Sequence, residues 1–180
     1  MKYLLAFILL VPSLLFASDE QELNYKIKNG DWLYTYRDRE DTYHFEVGKK
    51  FGINEVVYRY ADLNGTIENR IKFTTTLYTY HDFQLKARTE YRHFDNKESH
   101  WRWRTIVSYN PHLYGNFYLF ANWVPRWSIK DEGISFDARD QIGITYKSKD
   151  WSATPFIERN AGEGYHLNQV VSGIHWEYSL

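Results

Sequence analysis

The sequence predicts an all-β protein, a transmembrane antiparallel up-and-down β-barrel of about ten strands (10–12). Three observations support this fold class. Apolar and charged residues alternate along most of the chain, which is the period of a strand with two different faces. Turn residues interrupt the alternation at short intervals. Aromatic residues make up 19% of the 180 residues although the mean hydropathy is −0.61, and Tyr and Trp suit a boundary between an apolar layer and water.

The N-terminus has the pattern of an export signal. Met1-Lys2 is followed by an apolar stretch from Tyr3 to Phe16 and then by Ala17-Ser18. The stretch is shorter than the roughly 20 apolar residues that a membrane-spanning helix needs, so a cleaved secretory signal is favoured. We therefore expect a signal peptide over residues 1–17, a short periplasmic segment over 18–30 and the barrel over 31–180. The residues from Leu23 to Lys28 also alternate, and either a periplasmic tail or an additional pairing would explain them.

The strands follow from the runs between turn signals such as Asn64-Gly65, Asn110-Pro111 and Asn160-Ala161-Gly162. An even number of strands is expected for a closed bacterial barrel, and several runs reach the roughly 9–11 residues that a tilted strand needs to cross a bilayer. The ten predicted strands have approximate spans of 31–38, 42–49, 53–62, 66–79, 83–94, 98–109, 115–125, 134–147, 151–159 and 165–179.

The C-terminal run is a second, independent sign of a membrane barrel. One parity of this run carries apolar and aromatic residues up to the last residue: Val170, Ser172, Ile174, Trp176, Tyr178 and Leu180. Such a strand resembles the terminal signature of outer-membrane barrels, which the outer-membrane assembly machinery binds. Those barrels usually end in Phe or Trp, and Leu180 departs from that pattern.

Alternation alone does not say which face lies inside, and a soluble lipocalin-like barrel would bury its apolar face. The export signal, the aromatic content and the terminal strand favour the opposite orientation, in a Gram-negative outer membrane, with the charged face around a water-filled interior. The basic residues of that face are Arg37, Arg59, Arg70, Lys72, Lys86, Arg88, Arg92, Arg102, Arg104, Arg139 and Lys147. Its acidic residues are Glu46, Glu55, Glu68, Glu90, Asp137, Glu158 and Glu177.

The basic residues are expected to cluster when the runs 66–79, 83–94 and 98–109 pair as hairpins. This pairing places Arg70 near Arg92, Arg88 near Arg104, Arg92 near His100, and Glu90 between Lys72 and Arg102. A guanidinium keeps its charge and binds carboxylates through a planar fork. The predicted residues that line a pore and contact an anionic solute are Arg70, Lys72, Lys86, Arg88, Arg92, Arg102, Arg104 and Arg139.

Two features of this barrel leave alternatives open. The seven acids could pair with the basic residues and fill the interior, because small barrels can be plugged by their own side chains. A plugged barrel would serve as a structural or receptor protein. Asp140 falls on the apolar parity of its run, which indicates either a bulge near Arg139-Asp140 or a misassigned strand.

Other function classes have little support in the sequence. The chain has no cysteine, and its net charge of −1 argues against a nucleic-acid-binding protein. The alternative of an outer-membrane enzyme acting on lipid A or peptides needs a nucleophile beside a base. Ser99 and His100, with Glu98, are adjacent on a strand and point to opposite faces. We therefore expect no enzyme activity, no cofactor and no metal.

Several stretches resemble the family of oligogalacturonate-specific monomeric porins, and the likeness runs over most of the chain after the signal. They are Tyr34-Thr35-Tyr36-Arg37, the run from His44 to Gly52, Glu90-Tyr91-Arg92-His93, Trp101-Arg102-Trp103-Arg104, Asn122-Trp123-Val124-Pro125-Arg126 and Ile144-Thr145-Tyr146-Lys147. The resemblance implies a monomeric channel for acidic oligosaccharides, with arginines tracking along the lumen and outer-membrane lipid around it. It also implies twelve strands, whereas this chain is predicted to be one hairpin shorter.

Overall fold

The computed structural model of the chain describes residues 20–39, 42–162 and 167–180, so the predicted signal peptide lies outside the described residues. The described part contains strands and turns, and none of its residues forms a helix that could span a membrane. The strands are β1 (Glu20–Asn29), β2 (Trp32–Arg39), β3 (Thr42–Phe51), β4 (Asn54–Leu63), β5 (Thr66–Tyr80), β6 (Phe83–Phe94), β7 (His100–Tyr109), β8 (His112–Tyr114), β9 (Phe117–Lys130), β10 (Gly133–Lys147), β11 (Trp151–Ala161) and β12 (Leu167–Ser179).

Eleven of these strands close into a barrel, which confirms the predicted fold class. Each strand pairs with its neighbours in chain order, β7 pairs with β9, and β9 also pairs with β10, so the ring has no free edge. The short β8 lies outside this ring and pairs with the start of β9. The closing seam joins β1 and β12 in parallel, from Glu20 opposite Val171 to Lys28 opposite Ser179. An odd number of strands running alternately up and down forces this parallel seam.

The structure corrects the predicted boundary at residue 31 and the expected even number of strands. Residues 20–29, expected in a segment outside the barrel, form β1 and pair with both β2 and β12. The alternation from Leu23 to Lys28 is the physical reason, because it places Asn24 and Lys26 on the lumen side and Tyr25 and Ile27 on the exposed side.

The outer face of the barrel is apolar and the inner face is charged, which is the reverse of a soluble barrel. Large apolar side chains on the outer face are exposed, including Ile71, Trp101 and Ile142. On the inner face, the carboxylates of Glu68, Glu90 and Glu158 are fully buried. Their side chains are 0% exposed. The arrangement therefore differs from the lipocalin-like alternative, in which the apolar face fills the interior.

The described turns are short and match the chemistry of their residues. Asn64 and Gly65 both have positive φ, at 56° and 82°, and they join β4 to β5. A two-residue hairpin loop of this kind needs positive φ at both positions, which Asn-Gly provides at low cost. The Gly65 N–H also donates to Asp62 Oδ1 at 2.7 Å.

Two inward-facing glycines allow close packing around one large aromatic residue of the barrel wall. A Cβ at Gly143 would lie 2.2 Å from the Pro155 oxygen, and a Cβ at Gly173 would lie 2.8 Å from the Phe156 ring. Phe156, between these strands on β11, is 0% exposed, and its ring centroid is 4.1 Å from that of His175. Gly173 therefore leaves room for the Phe156 ring, and Gly143 leaves room for the backbone of β11 beside it.

Asp140 faces outward without any bulge. The register of β10 against β9 and against β11 runs through Arg139 and Asp140 without a shift. On the outer face, Asp140 pairs with Arg159, which lies directly opposite on β11 and whose Nε donates to Asp140 Oδ2 at 2.8 Å. Neither the bulge nor the misassigned strand is found, because a cross-strand ion pair accommodates the charge instead.

Candidate functional site

The barrel encloses two adjoining cavities, which we name the basic chamber and the amide chamber. The basic chamber has a volume of about 450 Å³ and is lined by Asn24, Thr35, Arg37, Thr42, His44, Glu46, Arg59, Leu63, Glu68, Arg70, Lys72, Arg88, Arg92, Arg102, Arg104, Arg126 and Arg139. The amide chamber has a volume of about 470 Å³, and its lining includes Asn24, Lys26, Thr35, Glu46, Glu55, Arg88, Phe120, Asn122, Gln141, Thr145, Lys147, Ser152, Thr154, His175 and Glu177.

The chambers follow one another along the barrel axis. The amide chamber is near the end that holds Leu180, since Lys147, Ser152 and Glu177 lie at the ends of their strands there. The basic chamber reaches toward the opposite end, where Thr42 and Leu63 flank their turns. Both chambers share the lining residues Asn24, Thr35, Glu46 and Arg88, which we call the neck.

The basic chamber carries a surplus of positive charge on its wall. Its lining contains ten basic residues and two acidic ones, Glu46 and Glu68. Three further carboxylates, Glu22, Glu90 and Glu158, are buried beside the basic side chains and carry ion pairs to Arg37, Arg104 and Arg139. The chamber therefore holds more guanidinium and ammonium groups than carboxylates.

The register confirms the predicted clustering of the arginines. Arg70 lies directly opposite Arg92, Arg92 opposite His100, and Arg88 opposite Arg104. The rows extend further, because Arg59 lies opposite Arg70 and Arg104 opposite Arg126. Like charges directly opposite each other in a sheet destabilise it, so these rows need a compensating anion.

Two buried carboxylates supply part of that compensation. Glu90 lies between Lys72 and Arg102 in the register, as predicted, and its Oε2 accepts hydrogen bonds from Arg70 at 3.2 Å and Arg104 at 3.0 Å. Glu68 pairs with Arg70 and with Arg92, whose Nη2 donates to Oε2 at 2.9 Å. Charge-assisted hydrogen bonds of this kind hold the guanidinium groups in fixed positions.

Three arginines of the basic chamber lack a close carboxylate. Arg102 Nε donates to Ser128 Oγ at 3.1 Å, and no carboxylate of the described residues lies within ion-pair distance of it. Arg88 is 3.9 Å from Glu90 and 4.0 Å from Glu55. Arg59 is 3.9 Å from Glu46, which Lys72 contacts more closely. These guanidinium groups are the best placed to bind an incoming anion.

The amide chamber has balanced charge and many uncharged polar groups. Its three basic residues, Lys26, Arg88 and Lys147, face three acidic ones, Glu46, Glu55 and Glu177. Lys26 Nζ lies 3.3 Å from Glu177 Oε2, and Lys147 Nζ lies 3.9 Å from the ring centroid of Tyr118. Its other polar side chains are amides and hydroxyls, which donate and accept hydrogen bonds without net charge.

Seven of the eight predicted pore residues line the basic chamber: Arg70, Lys72, Arg88, Arg92, Arg102, Arg104 and Arg139. Lys86 shares the parity of Arg88 on β6 but lines neither chamber. The prediction missed Arg126 because the predicted strand ended at residue 125, whereas β9 continues to Lys130. It missed Glu22 and Lys26 because β1 was expected to lie outside the barrel, although its alternation was a usable signal.

Ser99, the serine considered for catalysis, contacts His93 and not the adjacent His100. Ser99 Oγ lies 2.9 Å from His93 Nδ1, on the exposed side of the turn between β6 and β7. Within the described residues, no side chain holds the other ring nitrogen of His93, so the pair lacks the orienting group that a nucleophile–base pair needs. The described residues also contain no cluster of three or more potential metal ligands.

The fold and its interior together define a class: a closed β-barrel with an apolar exterior and a charged, largely basic interior. Comparisons with models of protein families, with curated proteins and with solved structures found no match for the chain.

Proposed function

We propose that the barrel spans a bacterial outer membrane and is a passive channel for small anionic solutes, with acidic oligosaccharides such as oligogalacturonates as the solute class. The observation that carries the proposal is the inverted polarity. Exposed apolar residues such as Ile71 and Trp101 face outward, while arginines line the interior. An apolar exterior on a closed barrel suits lipid, since the described strands of the ring each pair on both sides.

The proposed passage depends on exchange between guanidinium groups. A solute carboxylate is drawn to the surplus positive charge of the basic chamber, and binds first to the arginines without a close carboxylate, Arg59, Arg88 and Arg102. Several sites of similar strength let the anion move from one to the next without being trapped. Arg88 belongs to the neck, so it can hold an anion on either side.

Uptake into lipid vesicles tests this function. We expect purified protein in vesicles to admit a di-uronate at least several times faster than a neutral disaccharide of similar size. Changing both Arg88 and Arg104 to Ala removes two neighbouring positive charges from β6 and β7 and should abolish most of that preference. Equal uptake of both sugars, or no uptake at all, would contradict the proposal.

A plugged structural barrel is the second candidate, and the ion pairs of Glu90 favour it. Arg70 and Arg104 both donate to this one carboxylate, and Arg70 also pairs with Glu68, so neither is free to move with a solute. A plugged barrel would insert into vesicles and leave both disaccharides outside. The vesicle experiment therefore separates the two candidates.

A further inference from the structure

The amide chamber has chemistry that a uniform anion channel does not require. A wall built only for anions would continue the surplus of arginines along the whole lumen. Instead the charges balance, and the lining changes to amides and hydroxyls such as Asn122, Gln141, Thr145 and Thr154. Such side chains form hydrogen bonds with sugar hydroxyls and give an anion no net attraction.

A chain of hydrogen bonds fixes the direction of the amides. Gln141 Nε2 donates to Glu158 Oε2 at 2.7 Å, and Asn122 Nδ2 donates to Gln141 Oε1 at 3.2 Å. An ionised carboxylate only accepts, so Glu158 determines which way Gln141 is turned, and Gln141 then determines Asn122. Asn122 Oδ1 therefore remains as an acceptor in the wall of the chamber.

An acceptor in that position discriminates between two sugar substituents. A hydroxyl donates a hydrogen bond to Asn122 Oδ1, whereas a carboxylate has no proton to donate. A carboxylate in this chamber would also meet Glu55 and Glu177. The lysines closest to Glu177, Lys26 and Lys28, are already paired with it. The chamber wall therefore favours a neutral sugar unit over a uronate.

Phe120 adds an apolar surface to the same chamber. Its side chain is half-buried on β9, and its ring centroid lies 5.8 Å from that of His175. Binding sites for organic ligands combine an aromatic surface with a few oriented polar groups. The apolar C–H face of a pyranose fits such a ring, while its hydroxyls reach the neighbouring amides.

We infer that the amide chamber is a subsite for a neutral, hydroxyl-bearing sugar unit. The preferred solute is then a mixed oligosaccharide, in which a uronate in the basic chamber is joined to a neutral sugar in the amide chamber. This inference rests on the proposed function, and it names the substrate within the class of acidic oligosaccharides. The shared neck places the two subsites next to each other, so two linked units can occupy both.

Calorimetric titration of the protein in detergent micelles tests this inference without requiring conductance. The probes are a disaccharide of glucuronate linked to a neutral hexose, a di-uronate, and a neutral disaccharide. We expect the mixed disaccharide to bind about tenfold more tightly than the di-uronate, which corresponds to one or two net hydrogen bonds. The neutral disaccharide should bind more weakly than the mixed one because it leaves the basic chamber empty.

Two variants test which chamber causes the preference for the mixed disaccharide over the di-uronate. Asn122→Leu should reduce the advantage of the mixed disaccharide over the di-uronate to about twofold or less, since it removes the acceptor at similar size. Arg102→Gln, in the basic chamber, should weaken both ligands by a similar factor and leave their ratio unchanged. Di-uronate binding as tight as or tighter than the mixed disaccharide would overturn the inference, as would the absence of binding by both. Anion-selective uptake in vesicles would still stand if only this inference fails.

Discussion

The basic chamber and the amide chamber are built from the same alternating strands but do different chemistry. In the basic chamber, directly opposed arginines on β4, β5, β6, β7 and β9 are held by a few buried carboxylates. In the amide chamber, charges balance locally and hydrogen bonds between uncharged groups prevail, as between Thr145 and Thr154 at 2.8 Å. Alternation therefore determines which residues face the lumen, while their pairing determines what the lumen can bind.

The largest expected effect comes from removing the carboxylate that two arginines share. Glu90→Gln should lower the free energy of unfolding by about 3 kcal/mol, because Arg104 would stay buried without its carboxylate and Arg70 would keep only Glu68. The midpoint of urea unfolding in lipid vesicles measures the change. The matched control is Glu55→Gln near the amide chamber, whose nearest arginine is 4.0 Å away, and it should cost less than about 1 kcal/mol. Equal losses of unfolding free energy in both variants would show that the carboxylates of the two chambers contribute equally to stability, against this prediction.

A charge reversal in the basic chamber is expected to change ion selectivity strongly. Arg102→Glu replaces a guanidinium that has no close carboxylate by a negative charge, and the permeability ratio of chloride to potassium should fall roughly fivefold or more. Conductance in a planar bilayer with a salt gradient gives this ratio. The same reversal at Lys147, whose ammonium lies over Tyr118 in the amide chamber, should change the ratio by about twofold or less. A larger effect at Lys147 than at Arg102 would mean that the amide chamber, and not the basic chamber, determines ion selectivity.

Salt should separate the two chambers by their dependence on charge. Raising the ionic strength about tenfold shortens the screening length and should weaken binding of a di-uronate by roughly tenfold. Binding of a neutral disaccharide should change by less than about twofold over the same range, since hydrogen bonds between uncharged groups are little screened. Titrations of both sugars at the two salt concentrations make the comparison. Parallel weakening of both would show that charge governs the whole lumen.

The smallest expected effect concerns the contact between Lys147 and Tyr118. Tyr118→Leu removes the ring under the Lys147 ammonium and should cost about 0.5–1 kcal/mol of stability. Tyr118→Phe keeps the ring and is the matched control, with little expected change. Urea unfolding of both variants measures the difference. A larger loss for Phe than for Leu would mean that the hydroxyl, rather than the ring face, stabilises this end of the barrel.

Much of the fold and part of the site were predictable from the sequence because a strand repeats every two residues. That period placed Arg70, Arg88, Arg92 and Arg104 on one face, and short turns fixed their cross-strand neighbours. What alternation does not encode is the partner of each charge. It gave no sign that Glu90 would bind two arginines while Arg102 would have no carboxylate, since this depends on side-chain direction in three dimensions.

The other wrong predictions concern pairings between residues that are far apart in the sequence. The alternation of residues 23–28 was visible, but nothing local indicates that this strand closes the barrel in parallel with the last one. Asp140 looked misplaced because its partner Arg159 lies on another strand, where no short-range pattern links the two. Boundaries and long-range pairs are set by closure of the whole ring, which local periodicity does not describe.

The reversal potential of the wild-type protein in a planar bilayer is the sharpest check on an anion-selective lumen. With potassium chloride at different concentrations on the two sides, we expect a reversal potential of the sign that marks chloride as the more permeant ion, because the basic chamber carries surplus positive charge. A reversal potential of the opposite sign, or a protein that enters the bilayer and carries no current, would contradict it.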